Sequence, residues 1–256
     1  MNKLKSTLLS LVAAAAVAGC SDPGSDREMD RFIDGLMKKM TVEEKIGQMN
    51  LIAIDGSVMT GPVTESATGE KIVSGEVGAL LNVMVPEKIR DLQELVVTKS
   101  RLGIPLLFGM DVIHGYNTVF PMPIGLSATW NMSSVEEVAR ISAVEATAQG
   151  VNWTFSPMVD LSYDARWGRV SEGYGEDPYL NGMMGVAAVK GYQGDDLTAD
   201  GAIAACLKHF VGYAHSDGGR DYHYTEISPQ TLWDTALPPF EMGVKAGAAT
   251  VMSAIR

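Results

Sequence analysis

The sequence predicts an α/β protein built as an incomplete (β/α)8 TIM-like barrel. Short apolar stretches of strand type alternate with amphipathic helical stretches, the pattern of a parallel sheet covered by helices. Polar residues stand at the ends of those strands: Asp111, Asp160 and the pair Lys208-His209, with 49 residues from Asp111 to Asp160 and again from Asp160 to His209. Functional side chains delivered by the C-terminal ends of several strands belong to a barrel. No Gly-x-Gly-x-x-Gly follows any strand, which disfavours a doubly wound dinucleotide-binding sheet.

The N-terminus reads as a targeting segment. Lys3 and Lys5 form a positive start, and Leu8 to Val17 is an apolar run too short to span a bilayer as a mature helix. Val17-Ala18-Gly19-Cys20 resembles the bacterial lipoprotein cleavage box. That resemblance implies removal of residues 1–19 and lipidation of the Cys20 thiol. Ser21, where an Asp would retain the protein at the inner membrane, directs the expectation to the outer membrane, facing the periplasm or the outside. An ordinary signal peptide with an incidental cysteine is the alternative. Residues 20–27, with Pro23 and Gly24, read as a tether, and residues 28–256 as the barrel domain.

The elements follow in order. A helix is expected from about Arg27 to Asn50, with Thr41 and Glu44 as a capping box restarting it after Met40. Residues 55–75, rich in Gly, Ser and Thr, read as loop. Val77–Val83 is a strand, and Pro86 opens a helix to about Arg101. Pro105–Met110 is a strand. Ser133 or Ser134 is expected to cap a helix to Gln149. Trp153–Leu161 is a strand, and Pro178 begins a helix to about Tyr192. Ala202–Phe210 is a strand, Ser228 opens a helix to about Ala246, and Ala249–Ala254 is the last strand. Eight units of this length overrun 256 residues, and the last strand would be left at an open edge, so the chain reads as cut short.

The chain is 46% apolar and 20% charged, with a net charge of −11 and no basic run. That balance suits a folded domain with a large core and argues against nucleic acid or an anionic membrane surface as a partner. Contact with a membrane is expected only through the lipid anchor. Of the two cysteines, Cys206 lies in an apolar run and is expected to be a buried structural thiol. His114, His215 and His223 do not have metal-ligand spacing, and no cofactor is expected.

Three motifs carry the chemistry. In Phe108-Gly109-Met110-Asp111-Val112-Ile113-His114-Gly115, a carboxylate stands just past a strand. There it either accepts strong hydrogen bonds from adjacent sugar hydroxyls or caps the following loop. The loop from Tyr163 to Pro178 is dense in charges, aromatics and glycines. Arg169 offers a rigid fork of donors. Trp167 either stacks on a sugar face or packs beneath the loop, and Arg166 is available to pair with Glu172 or Asp177. Glu176, Asp177 and Pro178 suit the first turn of the next helix. In Lys208-His209-Phe210, neighbouring residues of a strand point to opposite faces, so both reach a ligand only where the strand is distorted.

In order and spacing, Gly109-Met110-Asp111-Val112-Ile113-His114-Gly115, Arg166-Trp167-Gly168-Arg169 with Glu172-Gly173-Tyr174-Gly175-Glu176-Asp177-Pro178, and Lys208-His209-Phe210 resemble glycoside hydrolase family 3, in its β-glucosidase branch. Phe120 to Leu126 is similar to the family's loop after the first Asp. The resemblance covers about residues 28–254. It implies that Asp111, Arg169, Lys208 and His209 hold the hydroxyls of the sugar at the non-reducing end. Val211-Gly212-Tyr213 after the Lys-His-Phe disfavours the N-acetylglucosaminidase branch.

The resemblance also implies retaining hydrolysis by two carboxylates about 5–5.5 Å apart. It places the nucleophilic Asp and the acid/base Glu beyond Arg256. The 256-residue chain alone is therefore expected to be inactive and poorly folded, while its full-length parent hydrolyses β-glucosides or oligosaccharides. A non-catalytic sugar-binding lipoprotein is the second class. A periplasmic barrel acting on phosphorylated ligands is a third, weakened by the lack of a Gly-rich phosphate cradle.

Overall fold

The computed structural model describes residues 23–54, 64–65 and 68–254. The expected signal peptide and Cys20 lie outside the described residues. These residues fall into two compact units, one up to Lys45 and one from Ile46 onward.

In the first unit, helix α1 spans Pro23–Met37, so it starts inside the segment read as a tether. The helix expected to about Asn50 is broken, and α2 (Val42–Gln48) restarts it. The capping box explains the restart. Thr41 Oγ1 accepts from the Glu44 N–H at 3.2 Å, and Glu44 Oε2 accepts from the Thr41 N–H at 2.8 Å.

The second unit holds seven parallel strands: β1 (Leu51–Ile54), β2 (Thr64–Glu65), β3 (Ala79–Leu81), β4 (Leu107–Met110), β5 (Trp153–Thr154), β6 (Cys206–Phe210) and β7 (Thr250–Ser253). Regular ladders give the order β2-β1-β3-β4-β5 and, separately, β6-β7. Parallel bridges Trp153↔Ala204 and Met158↔Lys208 join the two sets, making one arc of a (β/α) barrel. The strand expected over Trp153–Leu161 is regular only at its start. Pro157 has no N–H to give to a ladder, and pairing resumes irregularly at Met158.

The helices are α3 (Thr68–Ser74), α4 (Pro86–Lys99), α5 (Pro123–Ser127), α6 (Met132–Ala148), α7 (Pro178–Gln193), α8 (Pro229–Thr231) and α9 (Pro238–Lys245). Helix α3 lies in a stretch expected to be loop. Ile72 is fully buried in the core, and that burial outweighs the weak helix propensity of the sequence around it. The cap of α6 is Asn131, whose Oδ1 accepts from the Ser134 N–H at 3.3 Å, rather than Ser133 or Ser134. The helix expected to run unbroken from Ser228 changes pitch. Pro238 and Pro239 withhold two donors, and Leu237 N–H reaches back five residues to Leu232 O in a π-turn over Leu232–Ala236.

In the second unit the larger of two core clusters binds strands to helices, with Leu80, Leu106, Phe108, Met184 and Leu207 essentially inaccessible. Truncating Leu80 to Ala would cost about 2–5 kcal/mol through lost transfer energy and the cavity left behind. Helix α7 is buried on most of its circumference, which its small residues allow. At Gly191 a Cβ would stand 2.2 Å from the Glu136 carbonyl oxygen of α6, so only glycine permits this helix crossing. Among the described residues no helix is long and apolar enough to cross a membrane.

Candidate functional site

Asp111 directly follows β4. Its position is fixed from behind by Tyr192 of α7, whose hydroxyl donates to the Val112 carbonyl at 2.7 Å and lies 3.1 Å from Ser156 Oγ. Burial pushes the Tyr192 phenol up to about 12, so it remains a neutral donor.

Lys208 and His209 end β6. The ladder with β7 slips between Lys208 and Phe210, which pair with the adjacent residues Met252 and Ser253. The extra residue is a bulge, and a bulge re-aims side chains that strict alternation would send to opposite faces. Lys208 is 2% exposed, yet its Nζ donates to Asp111 Oδ1 at 2.7 Å and stands 3.7 Å from Glu172 Oε2. Asp111 itself is about half open, its side chain 48% exposed. His209 turns to Asp160, whose Oδ2 lies 2.8 Å from the His209 main-chain N and 2.7 Å from Nδ1. With the proton assigned to Nδ1, Asp160 accepts both bonds.

Arg169 stands between two short 3-10 turns, Ala165–Trp167 and Val170–Glu172, in the loop between β5 and α7. Its Nε and Nη2 donate to Glu172 Oε1 and Oε2 at 2.7 and 2.8 Å, a bidentate pair. Burial opposes both charges. The bonds and attraction between them more than offset that cost: the Glu172 carboxyl is held below its ordinary value and the guanidinium is raised further above its own. Lys208 and His209 add to the attraction at Glu172. Thus Asp111, Lys208, Glu172 and Arg169 form one unbroken chain of alternating charge, with the ring of His209 close by.

The surrounding side chains settle the alternatives that the sequence left open, and only Arg166 departs from them. Trp167 is 2% exposed and packs beneath the loop, so it has no face to offer a sugar. Arg166 pairs with Asp164 at 2.6 Å, not with Glu172 or Asp177. Asp177 caps α7 by accepting from the Leu180 N–H at 2.6 Å. Cys206 is buried, and burial raises its thiol pKa. His114 Nδ1 lies 3.2 Å from the Phe120 carbonyl, in its loop. Among the described residues, no group of three or more His, Cys, Asp or Glu is placed to hold a metal ion.

The sequence reading missed Tyr213 and Asp221. Asp221 Oδ1 accepts from Tyr213 OH at 2.6 Å and from Trp167 Nε1 at 3.0 Å. Arg169 Cζ lies 5.6 Å from the Tyr213 ring centre and 5.9 Å from that of Trp167. The Tyr213 ring also meets that of His209, with centres 4.8 Å apart. Burial and the Asp221 carboxylate both push the Tyr213 phenol up. Only an aromatic and a carboxylate in the loop after β6 hinted at this in sequence, and neither has a fixed spacing to Arg169.

An α/β barrel arc with a charged cluster at its strand ends is the framework of a barrel enzyme. The chain belongs to glycosyl hydrolase family 3, whose N-terminal domain model matches residues 41–256. It is 43% identical over 234 residues to a periplasmic beta-glucosidase of Salmonella typhimurium, covering 91% of this chain and 30% of that protein. A beta-xylosidase of Formosa agariphila is 35% identical over 202 residues, covering 74% of this chain and 28% of the relative. Among solved structures, a beta-glucosidase from Listeria innocua in complex with isofagomine superimposes with a TM-score of 0.82 at 40% identity, over 88% of this chain and 32% of that one. The chain spans less than a third of the length of each of these proteins.

Proposed function

We propose that this chain supplies the sugar-holding wall of an enzyme that hydrolyses terminal non-reducing β-D-glucosyl residues with retention of configuration. The observation that carries the reading is the chain of charge Asp111–Lys208–Glu172–Arg169, brought together from the ends of β4 and β6 and the loop between β5 and α7, with His209 beside it. Asp111, half open, accepts from two adjacent hydroxyls. Lys208 and Arg169 donate to neighbouring oxygens, and His209, whose Nδ1 proton is given to Asp160, accepts from a hydroxyl through Nε2. Glu172 and Asp160 are consumed in holding these groups, so no carboxylate of this chain is assigned to bond cleavage. The glucosidase and xylosidase names among the relatives support the class and leave room for a pentose.

The same reading makes the protein exported, with Cys20 lipidated after loss of residues 1–19. The periplasmic name of the Salmonella relative supports export. Labelling with an alkyne fatty acid tests the anchor, since Cys20→Ala should abolish the label.

A panel of chromogenic aryl β-glycosides tests the activity. The full-length parent should release the chromophore from the β-glucoside in preference to the xyloside and arabinoside, and the purified 256-residue chain should release none. Turnover by the 256-residue chain would overturn the assignment of cleavage to residues outside it. Glucose binding without turnover by the full-length parent would instead mark a sugar-binding lipoprotein.

A further inference from the structure

Arg169 and Glu172 lie three residues apart in one loop, so their bidentate bond fixes them to each other. The tilt of the guanidinium is then set by what packs against it, and its carbon stands over two rings, Tyr213 and Trp167. Those rings meet edge to face, with centres 5.3 Å apart and planes at 88°. Both are buried, and with Met158 and Ala214 they form a small apolar cluster apart from the main core. Each sits in a short 3-10 turn, Ala165–Trp167 or Tyr213–His215, which does little to hold a ring at a fixed angle. One oxygen joins them: Asp221 Oδ1 accepts from Trp167 Nε1 at 3.0 Å and from Tyr213 OH at 2.6 Å. Asp221 is exposed, on the loop after β6. The limbs of that loop are tied where Ser216 bridges Thr225 and where the Asp217 N–H donates to the Tyr224 carbonyl at 2.9 Å.

We propose that Asp221 is a positioning residue for sugar binding: by bonding the polar atoms of both rings it sets the aromatic seat on which Arg169 presents its donors. This rests on the sugar-holding reading given above. A cation is attracted to the face of an aromatic ring, and two rings at right angles hold it against swinging in either plane. A phenol that donates to a carboxylate makes a short, charge-assisted bond, which also enriches the ring in electron density and strengthens its pull on the guanidinium. A donor held at a fixed angle before the sugar arrives loses less freedom on binding it. Asp111 and Lys208 hold each other directly, so the clamp acts on the Arg169 side of the site.

The test is a double-mutant cycle on the full-length protein, read as kcat/KM for a chromogenic aryl β-glucoside, with thermal melts to show that each variant folds. Asp221→Ala should lower kcat/KM about tenfold, the effect of losing a hydrogen bond to a charged group. Asp221→Asn keeps an acceptor oxygen and should return to within about threefold of the unaltered protein. With Arg169→Met as the background, Asp221→Ala should change kcat/KM by less than about twofold, because no guanidinium is left to seat. A merely structural role would weaken both backgrounds alike. That result, or a kcat/KM unchanged by Asp221→Ala, would overturn the proposal and leave the sugar-holding reading standing. Should Asp221→Ala fail to fold, Tyr213→Phe keeps the ring, removes one of the two bonds and gives the same cycle. Absence of turnover, or of any effect of Arg169→Met, would bring down the sugar-holding reading and the proposal together.

Discussion

Asp160 Oδ2 holds His209 at two points, the main-chain N at 2.8 Å and the imidazole Nδ1 at 2.7 Å, across 49 residues of sequence. Both residues are buried, so this contact fixes the ring and ties the irregular end of β5 to the bulge of β6. Asp160→Ala leaves a buried N–H and a ring nitrogen without an acceptor. The expected loss of stability is about 2–4 kcal/mol, read by urea unfolding. Asp160→Asn keeps one acceptor oxygen and should recover part of it.

Lys208→Met tests the centre of the charge chain. Methionine fills a similar volume, and Glu172 retains its bidentate bonds to Arg169. Asp111 is half exposed and returns to water. The stability change is therefore expected to be small. Glucose affinity should fall about 10- to 100-fold, because a charge-assisted donor to a hydroxyl is lost. Calorimetric titration measures the affinity, and a thermal melt shows whether the fold is retained.

Glu172→Gln leaves Arg169 and Lys208 facing one another with no anion between them. The expected cost is about 1–2 kcal/mol, less than for a fully buried pair, because both side chains keep about a fifth of their surface in water. The pH dependence gives a second readout. The folded-state pKa of Glu172 is lowered from its ordinary 4.5, by the Arg169 bonds acting against the burial that opposes them. Its contribution is fully present above pH 4.5 and is lost as pH falls through the lowered value. Unfolding free energy measured from pH 6 downward should fall more steeply in the unaltered protein than in Glu172→Gln.

Gly219→Ala probes the seam between the loops after β5 and β6. Gly219 has φ +67°, and an added Cβ would stand 2.8 Å from the Asp164 carboxyl carbon. Arg166 bonds both oxygens of Asp164, so making room for the methyl group disturbs that exposed ion pair. A loss of about 1–3 kcal/mol is expected in thermal unfolding, from backbone strain and the clash together. The neighbouring Asp221 clamp should loosen with it, seen as a change in Trp167 fluorescence.

Local chemistry determined much of this protein from sequence. The apolar runs ending at Met110 and Phe210 marked two strand ends. Pro86 and Pro178 opened helices, Thr41 and Glu44 formed their capping box, and Asp177 capped α7. These features depend on residues a few positions apart, so propensity, alternation and capping chemistry suffice to read them. The polar residues at the strand ends were legible for the same reason.

Tertiary structure decided the rest. Whether Trp167 faced a sugar or the core depended on Asp221, 54 residues away, and whether Arg166 paired with Glu172 depended on how the loop folded over Lys208. The slip in β6 that brings Lys208 and His209 to one mouth exists only against its partner strand β7. Helix α3 formed where composition predicted loop because the core had a place for Ile72. Sequence specifies what each side chain is able to do. Which partner it finds among several chemically equivalent ones is settled by distances that only the packed chain creates.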